Sequence, residues 1–243
     1  MSIMILFHLS GYRCFKQFYL GYVHLTMTTL FPKLMSYSRM VIAMQYVAPL
    51  LCAYFKTRLA KPTGISFIDS TSIKVCHNRR IVRNKVFAGL AKRGKTTMGW
   101  FYGFKLHLII NHKGELLAAT LTQGDVDDRK PVPLLAKHLY GTIYADKGYL
   151  SAKLADTLLE KGISLITNVR RNMKEKIISV WDKAMLSKRF VIETVNDILK
   201  NSCQIEHTRH RSSTNFITNL LAGLIAYTFL PHKPKAAIQN TFA

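Results

Sequence analysis

Apolar residues run densely through the first 60 positions, and from position 65 the texture changes to short apolar runs of strand length. The opening 1–60 therefore reads as a short helical N-terminal region. Within it, TTLFPKLMSYSRMVIAMQYVAPLL (28–51) has a Thr start signal, a break at Pro32 and a second start at Ser36 or Ser38. Two short helices joined by a turn suit a helix-turn-helix DNA reader, and equally a packing arm. Lys61-Pro62-Thr63-Gly64 breaks the pattern as a linker. Strands are expected at GISFIDSTSIKV (64–75), 100–110, 115–122, 141–146 and 163–168. Residues 73–98 read as a basic loop. Helices are expected near 131–140, at 151–162 with a Ser N-cap and a Gly stop, at 185–200, and at 213–230. Three strands in meander order, then helix, strand, helix, strand, helix, describe an α/β fold: a mixed sheet flanked by helices. The expected boundaries are 1–60, 65–230 and a tail at 231–243.

Composition leaves this picture globular, with 49% hydrophobic and 20% charged residues. Charge changes it more. The 243 residues carry 35 Lys and Arg against 13 Asp and Glu, a formal net charge of +22. Self-repulsion of that size points to a polyanionic partner. Nucleic acid leads because phosphate neutralisation rewards Lys and Arg directly; a membrane surface and a basic ribosomal-type role are rivals. The apolar stretches 42–55 and 217–230 are too short for the ~20 residues of a membrane span, so no membrane partner is expected. The start MSIMILFHLSGYR lacks a basic lead and a small-residue cleavage site, which excludes a signal peptide. Cys14, Cys52, Cys76 and Cys203 form no CxxC pair. That indicates neither structural zinc nor a disulfide framework, and suits a reducing, intracellular setting.

In so basic a chain, an acid among apolar residues asks for a specific reason. Asp69 ends the run Ile65-Ser66-Phe67-Ile68, where an ionised carboxylate is costly unless paired or metal-bound. Asp146 ends Thr142-Ile143-Tyr144-Ala145, at a carboxyl strand edge where α/β folds place ligands. If these strands are neighbours, the two carboxylates meet, and a third on a nearby helix would complete an all-oxygen site suited to Mg²⁺ or Mn²⁺. Glu193 is the best third member, spaced four from Arg189 and seven from Lys200, so that the cations could reach phosphates. A solvated helix face with an i,i+4 ion pair explains the same spacing. Residues alone leave both open.

At these positions the chain resembles the DDE transposases of bacterial insertion sequences, whose catalytic domain is ribonuclease H-like. The matching segments, in the family's order, are FIDSTSIKVCHNRR (67–80), GWFYGFKLHLIINHKGE (99–115), LTQGDVDDRKP (121–131), YADKGYL (144–150), IETVNDILKN (192–201), QIEHTRHRS (204–212) and NLLAGLIAY (219–227). The resemblance implies Asp69, Asp146 and Glu193 as ligands of two divalent metal ions, with end cleavage and strand transfer on DNA. It implies a homo-oligomer when DNA is bound, and a cytoplasmic, nucleoid-associated location. The family's Tyr-x2-Arg-x3-Glu-x6-Lys signature is met by Arg189, Glu193 and Lys200, but the Tyr position holds Leu186. Only 68 residues precede Asp69, fewer than in similar transposases, so a shortened site-specific DNA-binding part is expected. A non-catalytic DNA-binding remnant and a structure-specific nuclease of the same fold are the alternatives.

No acid lies between Asp69 and Glu115, while ten Lys or Arg do, including Arg79, Arg80, Arg83, Lys85, Lys92, Arg93 and Lys95. This is read as a DNA-backbone surface. The adjoining Phe87, Trp100, Phe101 and Tyr102 are assigned to the core rather than to base stacking. His207, Arg209, His210 and Arg211 read as a basic patch beside the acids. Cys203, His207 and His210 lack a fourth zinc ligand. Asp125, Asp127 and Asp128 are expected to cap the helix after Pro131 or to pair with Arg129.

Overall fold

The computed structural model describes residues 1–97, 99–168, 178–206 and 210–237. In chain order the helices are α1 (Ser2–Leu9), α2 (Phe15–Gln17), α3 (His24–Thr26), α4 (Tyr37–Tyr46), α5 (Ala48–Arg58), α6 (Val132–Leu135), α7 (Ala152–Leu159), α8 (Val180–Ser187), α9 (Phe190–Asp197) and α10 (Ser213–Phe229). The strands are β1 (Ile65–Cys76), β2 (Lys92–Thr96), β3 (Gly99–Asn111), β4 (Leu116–Gln123), β5 (Gly141–Ala145) and β6 (Ile163–Thr167). The chain divides into two compact units, one of residues 1–58, 75–88 and 197–230, the other of 59–74, 89–196 and 231–243.

The first unit is helical. Its centre is α10, whose buried face includes Phe216, Leu220, Leu224 and Tyr227. Against it pack α1, α4 and α5. Gly223 lets the chain around Ile205 approach α10: a Cβ there would run into the Ile205 side chain. Ser36 starts α4 as expected, its hydroxyl accepting from the Arg39 amide. The helix expected before it is absent, because 28–35 is turn, bend and irregular chain around Pro32. After Ser36 the chain forms two helices rather than one, α4 and α5, bent by 63° at Val47. Among the described residues no single helix is long and apolar enough to cross a membrane, and only this bent pair meets length and composition together.

The second unit holds the sheet. Its strand order is β2-β3-β1-β5-β6, with β4 also pairing with β3. The long β3 is antiparallel to β2 over its first half and to β4 over its second. The pairings β1 with β5 and β5 with β6 are parallel. This mixed sheet flanked by helices agrees with the expected ribonuclease H-like order. The core beside it comprises Ile68, Ile109, Ile143 and Ala145 of the strands with Leu135, Leu154 and Leu158 of α6 and α7.

Three further elements differ from expectation. β2 lies in the stretch read as loop: KRGKT has no apolar pattern, and pairing with β3 holds it in the sheet. The helix near 131–140 shrinks to α6, followed by turns. The single helix expected at 185–200 is two, α8 and α9, broken at Lys188 and Arg189, and α9 runs on into a wider π-helical turn at Ile198–Ser202.

Parallel pairing of β1 with β5 places the acids. Gly64 and Gly141, just before β1 and at the start of β5, both have φ +81. The amide of Thr142 donates to the Gly64 carbonyl at 2.8 Å. A side chain at 141 would strike that carbonyl, so glycine here permits the close start. The register then runs Ile65 with Thr142 and Phe67 with Tyr144. Two residues further along each chain stand Asp69 and Asp146.

Candidate active site

Asp69 is half-buried in the middle of β1, and Asp146 is exposed directly after β5. Glu193 lies in the first turn of α9. Arg189, half-buried and just ahead of that helix, links them: its Nη2 donates to Glu193 Oε1 at 2.7 Å and stands 4.0 Å from Asp146 Oδ1. Asp146 and Glu193 are each close enough to act on Asp69. Burial pushes the Asp69 carboxyl up to about 6; the Ser70 amide and Arg189 pull it down, while Glu193 and Asp146 push it further up.

Asn196, unremarked in the sequence, donates from Nδ2 to Asp69 Oδ2 at 3.0 Å. It is buried and lies three positions after Glu193 on α9. The spacing was visible as an amide in the apolar frame of VIETVND, yet nothing local tied it to residue 69. Tyr149, also unassigned, is buried, and the charges of Asp69 and Asp128 act on its hydroxyl. Burial chiefly drives that hydroxyl's pKa up.

The remaining expected contacts separate by unit. Arg79, Arg80 and Arg83 are exposed on a 3-10 turn, Asn78–Arg83, with Lys85 exposed after it, in the helical unit. His77 caps that turn by accepting from the Arg79 amide, a structural role. Lys92, Arg93 and Lys95 are exposed on β2, which belongs to the sheet unit, and the Lys95 ammonium lies 5.8 Å from the Trp100 ring centroid. Phe87, Phe101 and Tyr102 are core residues as expected, but Trp100 is 62% exposed, a correction to its assignment to the core. Lys200 sits in the π turn with Nζ 3.5 Å from Glu206, both in the helical unit. His210 packs edge-on against Phe216 and Arg211 is exposed, while His207 and Arg209 lie outside the described residues.

Asp127 pairs with Arg129, as expected. Asp128 does not: it meets Lys105 Nζ at 3.0 Å, with His107 Nδ1 4.0 Å away. None of the three acids caps α6, whose N-cap is Pro131 without a side-chain bond.

Among the described residues, no three Asp, Glu, His or Cys side chains stand close enough to hold one metal ion as they are oriented. The donors still suit a hard divalent cation. All are carboxylate oxygens, Asp146 and Glu193 are exposed, and a positive charge already stands among them in Arg189.

A family model described as Transposase DDE domain matches residues 59–213. The chain belongs to the transposase DDE domain family. No curated relative matches it. Among solved structures it is similar to a piggyBac transposase, in the cryo-EM structure of its synaptic complex with hairpin DNA, with a TM-score of 0.48 and 13% identity. That match covers 75% of this chain and 49% of the other, so the chain spans about half the length of that protein. The DDE domain match takes in Asp69, Asp146, Glu193, Arg189 and Asn196 together.

Proposed function

We propose that this chain is a transposase that cuts DNA at the ends of an insertion sequence and joins them to target DNA, with Asp69, Asp146 and Glu193 as ligands of two divalent cations, Mg²⁺ or Mn²⁺. The observation that carries this reading is the parallel register of β1 and β5, which sets Asp69 beside Asp146 at one strand edge, with Arg189 and Glu193 next to them. Cations held by these carboxylates would supply Lewis-acid activation of an attacking oxygen and charge neutralisation of the leaving one for in-line phosphoryl displacement.

The chain's own residues supply placement and charge. Asp69 is held by the Ser70 amide and by Asn196, so it is the least movable of the three acids. Asp146 and Glu193 are exposed, open to a DNA end. Arg189 balances the acids and has the planar donor geometry to exchange Glu193 for a phosphate. The exposed Arg79, Arg80, Arg83, Lys85, Lys92, Arg93 and Lys95 serve as backbone contacts, which makes affinity fall as salt rises. By family resemblance, the working form is a homo-oligomer on paired ends.

The test is purified protein with Mg²⁺ or Mn²⁺ and labelled DNA taken from the sequence that flanks the gene. End cleavage and joining, both lost in Asp146→Asn, are expected. Activity that survives this substitution overturns the assignment. Hydrolysis without joining would make the protein a nuclease, and salt-sensitive binding without cleavage would make it a non-catalytic DNA-binding chain.

A further inference from the structure

We propose that Asn196 is a positioning residue for the carboxylate cluster: its amide fixes the orientation of Asp69 for a divalent cation and couples α9, which carries Glu193, to β1. The inference rests on the reading of Asp69 as a cation ligand.

The 3.0 Å bond from Asn196 Nδ2 to Asp69 Oδ2 joins residues 127 positions apart. Asn196 is 7% exposed, and its neighbours Val191, Ile192 and Val195 on α9 are buried apolar residues. An aliphatic side chain would suit that surrounding better, since a buried amide must satisfy both of its ends. Here only one is satisfied: Asn196 Oδ1 is buried with no hydrogen-bond partner among the described residues. An amide kept at that cost to stability has work at the end that is bonded.

The geometry says what the work is. Asn196 stands three positions after Glu193, so both project from one side of α9. A single hydrogen bond thus sets the height of Glu193 relative to Asp69. With the Ser70 amide also bonded to the Asp69 carboxylate, two donors restrain its rotation. Both donors are neutral. They orient the carboxylate without adding a positive charge that would compete with a cation, as Arg189 does. Partners of this kind to a metal-ligating carboxylate carry a large share of a site's affinity.

The experiment uses the full chain, without DNA, and Mn²⁺ alone as the probe, with free Mn²⁺ read by electron paramagnetic resonance. Thermal unfolding in chelator reports folding independently. Asp69→Asn should abolish binding. Asn196→Leu, close in volume, should weaken Mn²⁺ affinity about 10–100-fold while still unfolding cooperatively. Asn196→Ala should do the same and serves if the Leu variant misfolds. Wild-type affinity in a folded Asn196 variant, with binding lost in Asp69→Asn, overturns the positioning role alone. Wild-type affinity in Asp69→Asn, or no binding by the parent chain, overturns the cation-ligand reading and this inference with it. Failure of both Asn196 variants to fold makes Asn196 a core residue and overturns the proposal.

Discussion

Arg189 donates to the carboxylate of Glu193 across 2.7 Å, one helical turn along the chain. The same guanidinium stands 4.0 Å from Asp146 and draws down the pKa of Asp69. One cation thus serves three acids that come from β1, the end of β5 and α9. Lys200, its partner in the sequence signature, is paired with Glu206 instead.

Replacing Arg189 by Gln should raise the Asp69 carboxyl further above about 6, because the largest nearby attractive charge is lost. A carboxyl-carbon NMR titration reads this directly. Glu193 is exposed, so the cost to folding should stay within about 1 kcal/mol. DNA affinity should fall, with the salt slope shallower by about one.

Asp69→Asn should stabilise the metal-free protein at neutral pH. The folded carboxyl titrates near about 6 and the unfolded one at its ordinary 3.8. Between these values the folded state holds more protons, so stability is greatest at low pH and falls as pH rises through the window. The gain at pH 7.5 should be at most about 3 kcal/mol, closing near pH 4. Melting curves in chelator at both pH values check it. An unchanged midpoint at pH 7.5 would mean that ionised Asp69 costs the fold nothing.

His8 and His107 should act in the opposite direction. Burial lowers both to about 4. Their folded values lie below the ordinary 6.5, so the stability they contribute is complete above 6.5 and is lost as pH falls toward 4. His8 Nδ1 faces the Cys203 carbonyl, which requires the neutral ring to carry its proton there. The melting midpoint should drop between pH 6.5 and 4, and less steeply in His8→Asn.

Gly103→Ala should destabilise the sheet by about 1–3 kcal/mol, because its Cβ would run into the Ile73 carbonyl of β1. Gly148→Ala, which has no neighbour within 4 Å, should stay within about 0.5 kcal/mol and serves as the control in denaturant unfolding.

Hydrophobic patterning made most of the sheet legible. The expected strands at 64–75, 100–110, 115–122, 141–146 and 163–168 all form within a few residues, because each is a local apolar run between glycine or turn residues. The run ending at Asp69 and the one ending at Asp146 were legible for the same reason. β2 was not, since a strand of KRGKT is made by its partner rather than by its own pattern. The break at Lys188 and Arg189 was hidden as well: good helix formers fill it, and Ser179, which caps α8 by accepting from the Asp182 amide, was not read as a start.

The sequence by itself determined most of the strands, how basic the chain is, and which acids stand out against that charge. These are properties of composition and of periods a few residues long. Tertiary structure decided which strands are neighbours, and so which acids meet. It also decided which charges pair across the chain, Lys200 with Glu206 and Lys105 with Asp128. The bond from Asn196 to Asp69 belongs wholly to that level. It closes over 127 residues, and no local rule of spacing reaches so far.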